Sequence, residues 1–235
     1  MAEIVFGKLG ETREATERRV RMAARALGRN DLGHAFGHVS ARLDDKSFLV
    51  CAPRPMGLIA EGEPGTVVPI EGALPAGVLG EVRIHQQIYK RRADVNGICR
   101  TFLKSTMALS TLRMTAKPRD GFGSYFAPAP KLWDDPTLLR NDEAAAKLAD
   151  TLGQARAIVM RGNGAVVVGA TVEEAICMAF FLEEASRTEV SVLSMNRPGY
   201  EAIMTPEQAT ARGVTTGNIL ERLWEYLTRG YPENQ

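Results

Sequence analysis

Cysteine and histidine are scarce in this sequence, with three of each in 235 residues. Cys51, Cys99 and Cys177 lie far apart, each inside an apolar run, and no CxxC pair occurs. This pattern excludes a disulfide framework and a short thiolate zinc motif, and makes buried, reduced thiols the expectation. His34, His38 and His85 form no HExxH or other short ligand motif. Neither sign of charge dominates: 29 Lys and Arg against 28 Asp and Glu leave a formal net charge of +1, which points away from nucleic acid as a partner. No stretch approaches the roughly 20 apolar residues of a membrane span. The N-terminus MAEIVFGKLGETRE lacks the basic start and apolar run of a secretory signal. A cytoplasmic protein with no membrane partner is expected. No linker rich in Pro, Ser or charge divides the chain, so one domain over 1–235 is expected.

What is present is an alternation of helical and strand patterns. Ala15, Val20, Ala23, Ala24 and Leu27 recur at helical spacing among Arg and Glu, predicting an amphipathic helix that stops at Gly28 and Asn30. Strands are expected around 39–43 and over SFLVCAP, with Asp44, Asp45 and Lys46 as the turn. A Gly/Pro loop follows, interrupted by a short strand at 66–70, and a second Gly/Pro stretch leads into a helix over 81–92. Val82, His85, Ile88 and Tyr89 share one face of that helix, and Glu81 sits in its first turn, where the helix dipole favours a carboxylate.

The stretch DVNGICRTFLKSTMALS, residues 94–110, reads as a buried strand over 96–102 and a helix from Ser105, which is expected to cap it. The strand ends on Arg100 and Phe102, an awkward place for a guanidinium. Residues 117–136, rich in Gly, Pro and aromatics, read as a long surface loop. Asn141 caps a helix that stops at Gly153, and two apolar strands follow, joined at Gly162-Asn163-Gly164. Thr171 and Glu174 form a capping box opening a helix to about Leu193, and Thr205-Pro206-Glu207 starts the last helical region. Strands joined directly by tight turns exclude a purely parallel sheet. An α/β fold is expected, with a mixed sheet covered by helices on both faces.

Four segments, in order from about residue 11 to 195, together resemble the class II aldolase/adducin family: GHVSARL, EVRIHQQIYKRRADVNGI, MALS and RGNGAVVVGATVEEA. The first resembles the family's glycine-polar-x-Ser loop entering a strand. The second resembles its Glu-x-x-x-His helix with the tyrosine, basic pair and Asp-Val that follow. MALS fits the segment after its His-x-His-Pro, and the last resembles its Arg-x-His-Gly-x-x-x-x-Gly element. The resemblance implies a three-layer α/β/α sandwich around a mixed, largely antiparallel sheet, and a homotetramer with sites between neighbours. It also implies that the enzymes of the family hold zinc, manganese or another divalent metal on three histidines, with the glutamate at the helix start moving protons. Here the matching positions are Arg100, Phe102 and Asn163. Guanidinium and phenyl are not ligands and a carboxamide is a poor one for zinc, so no catalytic metal and no other cofactor are expected.

Glu81 falls on the family's catalytic glutamate, and otherwise reads as a solvated carboxylate at a helix start. Arg100 reads either as an internal ion pair with Glu81 or Asp94, or as a guanidinium that supplies the metal's charge and binds a carboxylate or enolate. His38 stands where the family often has asparagine, in the loop that contacts substrate, beside Ser40. Arg54, in APRPMG, replaces a hydroxyl-bearing turn that handles phosphate, and Lys104 reads similarly. Asn163 and Tyr125 complete the candidate substrate-binding set, with Tyr200, Tyr226 and Tyr231 as further groups that a neighbouring subunit could contribute. His85 is expected to be packed and hydrogen bonded, and His34 to be structural.

Two functions follow. The first is a metal-independent lyase acting on a small anionic substrate, a carboxylate or keto acid, by decarboxylation, aldol-type cleavage or isomerisation. The wording RGxGAVVVG lies closer to the branch with decarboxylases of aromatic acids than to the sugar-phosphate aldolases. The alternative is a catalytically inert, adducin-like binding or assembly protein.

Overall fold

A computed structural model describes residues 6–199 and 202–234. One seven-stranded sheet runs through them, in the order β3-β2-β1-β4-β7-β6-β5. Its strands are β1 (His38–Arg42), β2 (Ser47–Val50), β3 (Thr66–Pro69), β4 (Gly97–Thr101), β5 (Lys131–Trp133), β6 (Ala157–Met160) and β7 (Ala165–Gly169). Every neighbouring pair is antiparallel except β5 with β6, which is parallel. This is the mixed, largely antiparallel sheet that the short turns between strands require.

The strands β1, β4, β6 and β7 are buried on both faces, and their residues sort by the two-residue period into two cores. Val39, Cys99, Ala165 and Val167 pack with α1 (Arg13–Arg29) and α5 (Val172–Ser194). Ile98, Ile158, Val166 and Val168 pack on the opposite face with α2 (Arg83–Arg91) and α4 (Asp142–Leu152). The result is three layers. The remaining helices are α3 (Lys104–Thr111), α6 (Pro206–Arg212) and α7 (Ile219–Leu227). Cys51, Cys99 and Cys177 are free and buried, with burial pushing the Cys51 thiol up to about 11 and raising the other two as well.

Several expectations are corrected. Residues 117–136 are not all surface loop: they hold a buried 3-10 turn, Gly123–Phe126, and the edge strand β5. Three residues pairing through backbone alone leave no alternating pattern to read. Glu81 lies in a 3-10 turn, Gly80–Val82, ahead of α2 rather than in the α-helix proper. Ser105 does not cap α3, whose N-cap position is Leu103 with no capping side chain. The buried Glu183 carboxylate on α5 does so instead, accepting from the Ser105 and Thr106 amides at 2.9 and 3.2 Å. Thr171 caps α5 as expected, but Glu174 completes the motif on the Ala170 amide.

Candidate functional site

The site grows from the end of β4. Ile98 belongs to the core under α2 and Cys99 to the core under α5, so strand alternation turns Arg100 toward α2. β1 does the same in register: Val39 and Ala41 face α5, while His38, Ser40 and Arg42 face α2. His38 is the cross-strand partner of Arg100. Two glycines let the chain close around this point. Gly37, at φ +100°, has no room for a Cβ, which would sit 2.2 Å from the Arg100 carbonyl oxygen. Gly164, at φ +75°, presses the β6–β7 turn so close that a Cβ would lie 2.0 Å from the Thr101 oxygen and 2.7 Å from Arg100 Nη1.

Arg100 is fully buried. Its Nε donates to Glu81 Oε2 at 3.2 Å and its Nη1 to the Thr101 carbonyl at 2.9 Å, while its Cζ lies 4.4 Å from the Phe102 ring centroid. Burial lowers its pKa, with Glu81 opposing the shift, and a guanidinium in this setting stays charged. Two atoms of the pair are left over: Arg100 Nη2 and Glu81 Oε1 are buried and have no hydrogen-bond partner among the described residues. Orphaned groups of this kind are rare in folded proteins and call for a ligand or water.

Behind the pair runs a polar chain through the layer between β1 and α2. His38 Nδ1 is 3.0 Å from His85 Nε2, His85 Nδ1 is 2.7 Å from Ser40 Oγ, and Ser40 Oγ is 2.9 Å from the Tyr89 hydroxyl. All four side chains are buried. Burial, reinforced by the Arg100 charge, pushes His38 down to about 3; His85 is lowered too, by burial and then by His38 and Arg100. Both imidazoles are neutral near pH 7. His38 Nε2 is a further buried atom without a partner among the described residues.

The other predicted residues divide. Asn163 is half-buried on the turn against Arg100, and its Nδ2 has no partner among the described residues. Arg54 is exposed and paired with Glu63 at 3.0 Å. Tyr125 is fixed in the core on the α5 face, stacked on Phe181 at 4.8 Å with its hydroxyl donating to the Val214 carbonyl, so within this chain it does not join Arg100. Lys104 and His34 are exposed, Tyr226 is exposed, and Tyr231 is buried against Arg25 and Arg29. Tyr200 lies outside the described residues. Asp94 does not serve Arg100, because Arg92 holds it in a bidentate pair at 2.8 and 2.7 Å. His85 is packed and hydrogen bonded as expected, and it shares a helix face with Tyr89, but the links of both to Ser40 were not anticipated from the sequence. Their signal was there: polar residues at every second place in β1 opposite His85 and Tyr89, four apart on α2.

A family model described as the class II aldolase and adducin N-terminal domain matches residues 18–190. The chain belongs to this family. A 3,4-dihydroxyphthalate decarboxylase from Arthrobacter keyseri is 23% identical over 196 residues, 74% of this chain and 77% of that protein. The fold is shared with an L-fuculose 1-phosphate aldolase from Glaciozyma antarctica at TM-score 0.75 and 20% identity, covering 96% of this chain and 94% of that one. An aldolase II superfamily protein from Pseudomonas syringae superimposes at TM-score 0.76 with 22% identity, covering 93% of each chain. Within the family's fold, the residues at the end of β4 do not suit a divalent cation. A buried guanidinium occupies the place with its own charge, a phenyl ring lies beside it, and the nearby amide of Asn163 is a weak donor for metal. Among the described residues no group of three His, Cys, Asp or Glu side chains is placed to hold a metal ion. No described helix is long and apolar enough to cross a membrane.

Proposed function

We propose that this chain is a metal-independent carbon–carbon lyase acting on a small carboxylate or keto acid, with Arg100 as the anion-binding group and Glu81 as the proton carrier. The observation that carries this reading is the buried Arg100–Glu81 pair, in which each partner keeps one polar atom unpaired among the described residues. Cleavage of a bond next to a carbonyl delivers its electron pair to that carbonyl and creates an enolate. A desolvated guanidinium stabilises such an anion by charge and by a directed N–H. Glu81, hydrogen bonded through Oε2 and with its buried Oε1 unpaired among the described residues, gives a proton to the resulting carbon or removes one from a hydroxyl in this reading. Asn163 Nδ2 and His38 supply the polar wall, with Ser40 behind them, bonded to His85. Decarboxylation and aldol-type cleavage share this electron flow, and the family contains relatives named for each. We further propose that the working form is a homotetramer whose neighbours close the site.

Thermal-shift measurements with small keto acids, hydroxy acids and aromatic carboxylates test the anion site. Stabilisation that vanishes in Arg100→Ala is expected, whereas no shift with any anion would remove the basis for the reading. Zinc loading followed by metal counting per chain tests the absence of a metal step. Stoichiometric zinc held through Asn163 and a neighbour would overturn it.

A further inference from the structure

The chain Tyr89–Ser40–His85–His38 has a direction, and the direction is set at its inner end. Tyr89 is buried, and its hydroxyl has Ser40 Oγ as its one hydrogen-bond partner among the described residues. If Ser40 donated to Tyr89, the phenolic proton would be left in the core without an acceptor. The satisfied arrangement has Tyr89 donating to Ser40, and Ser40 donating to His85 Nδ1. Nδ1 of a neutral imidazole that accepts leaves the proton on Nε2. His85 Nε2–H then donates to His38 Nδ1, and the His38 proton must sit on Nε2. That is the atom left without a partner among the described residues.

Arg100 Nη2 and His38 Nε2 are both buried and without a partner among the described residues. His38 and Arg100 are cross-strand partners on the same face of β1 and β4, a relation that places side chains within reach of one small ligand. His38 is neutral there, because the low-dielectric core and the Arg100 charge both oppose its protonation. It therefore offers one N–H and no charge. A carboxylate on Arg100 Nη2 would carry its adjacent carbon toward His38, where an oxygen acceptor on that carbon meets the Nε2–H. A methylene in the same place leaves the N–H buried and unpaired.

We propose that Tyr89, Ser40 and His85 act as positioning residues that fix His38 in its Nε2–H tautomer, and that His38 thereby selects 2-oxo acids over plain carboxylates at the Arg100 site. The ligand half of this rests on Arg100 being the carboxylate anchor proposed above. The tautomer half does not.

Nitrogen-15 spectra of the labelled histidine rings at pH 7, assigned with a His38→Gln variant, read the tautomer directly. The expected result is neutral His38 protonated at Nε2, with Tyr89→Phe giving a mixture of both tautomers because Ser40 no longer has a fixed donor. A His38 protonated at Nδ1, or on both nitrogens, would overturn the proposal, as would a Tyr89→Phe spectrum identical to the parent. Calorimetric titration with pyruvate and with propionate, which differ only at the second carbon, reads selectivity. Pyruvate is expected to bind about tenfold more tightly, the value of one neutral hydrogen bond. The ratio should fall to about one in His38→Ala and to an intermediate value in the milder Tyr89→Phe. Equal affinities in the parent, or a ratio unchanged in both variants, sinks the selectivity. If neither acid binds the parent while the spectra show the Nε2–H form, the Arg100 anchor and the selectivity both fall and tautomer control stands.

Discussion

Glu81 Oε2 lies 3.2 Å from Arg100 Nε, joining the turn before α2 to the end of β4 inside a layer from which solvent is excluded. The Arg100 side chain is fully buried and the Glu81 side chain is 19% exposed. Removing one member of a buried pair leaves the other's charge without compensation, which costs more than the pair itself contributes. Glu81→Gln is therefore expected to destabilise the fold by about 3 kcal/mol in urea unfolding. Anion binding in that variant should persist or strengthen, because Arg100 loses its internal counter-charge. Unchanged stability would show that solvent, not Glu81, compensates the guanidinium.

The close approach of the β6–β7 turn to Arg100 is tested at Gly164. A methyl group there meets the Thr101 carbonyl at 2.0 Å and is attached to a residue at φ +75°. Gly164→Ala should lose more than about 1 kcal/mol of stability and shift the Arg100 side chain. A variant as stable as the parent would mean that the turn moves away without difficulty.

Glu183 on α5 caps α3, the helix that follows β4. Its carboxylate receives the Ser105 and Thr106 amides and the Thr106 hydroxyl. Glu183→Ala should cost about 2 kcal/mol, at the upper end for a lost N-cap because the amides stay buried. Faster amide hydrogen exchange confined first to α3 is the accompanying signature.

The two buried histidines make stability depend on pH. Their folded-state values lie below the ordinary 6.5, with His38 at about 3. The unfolded chain thus binds protons that the folded one refuses, so stability is full above about pH 6.5 and falls as the pH drops toward 3. The slope approaches about 1.4 kcal/mol per pH unit for each histidine. Urea midpoints between pH 5 and 7 should show it, and His38→Gln should flatten it. A parent with a flat profile across that range would contradict neutral burial of the pair.

Much of the fold could be read from the chain because the relevant signals are local. The helix of 13–29, the capping threonines and the glycines of the β6–β7 turn announce themselves within a few residues. The awkwardness of Arg100 was equally plain, since an arginine in an apolar strand needs a partner. Which partner was not plain, because Glu81 and Asp94 were both near in sequence. Asp94 is taken by Arg92, two residues away, and that local pairing leaves Glu81. The edge strand β5 and the cap on α3 were invisible because each depends on a partner far along the chain, β6 in one case and Glu183 in the other.

By itself the sequence determined the alternation of elements, the family, and the presence of a guanidinium at the end of a core strand. These follow from periodicity and from residue types at fixed offsets, properties that survive without coordinates. Only the tertiary structure decided which polar atoms are satisfied. Pairing β1 with β4 placed His38 beside Arg100, and packing α2 on that face joined His85, Ser40 and Tyr89 into one chain. Hydrogen-bond direction and unpaired atoms are properties of that three-dimensional arrangement, because each depends on where every other donor and acceptor has gone.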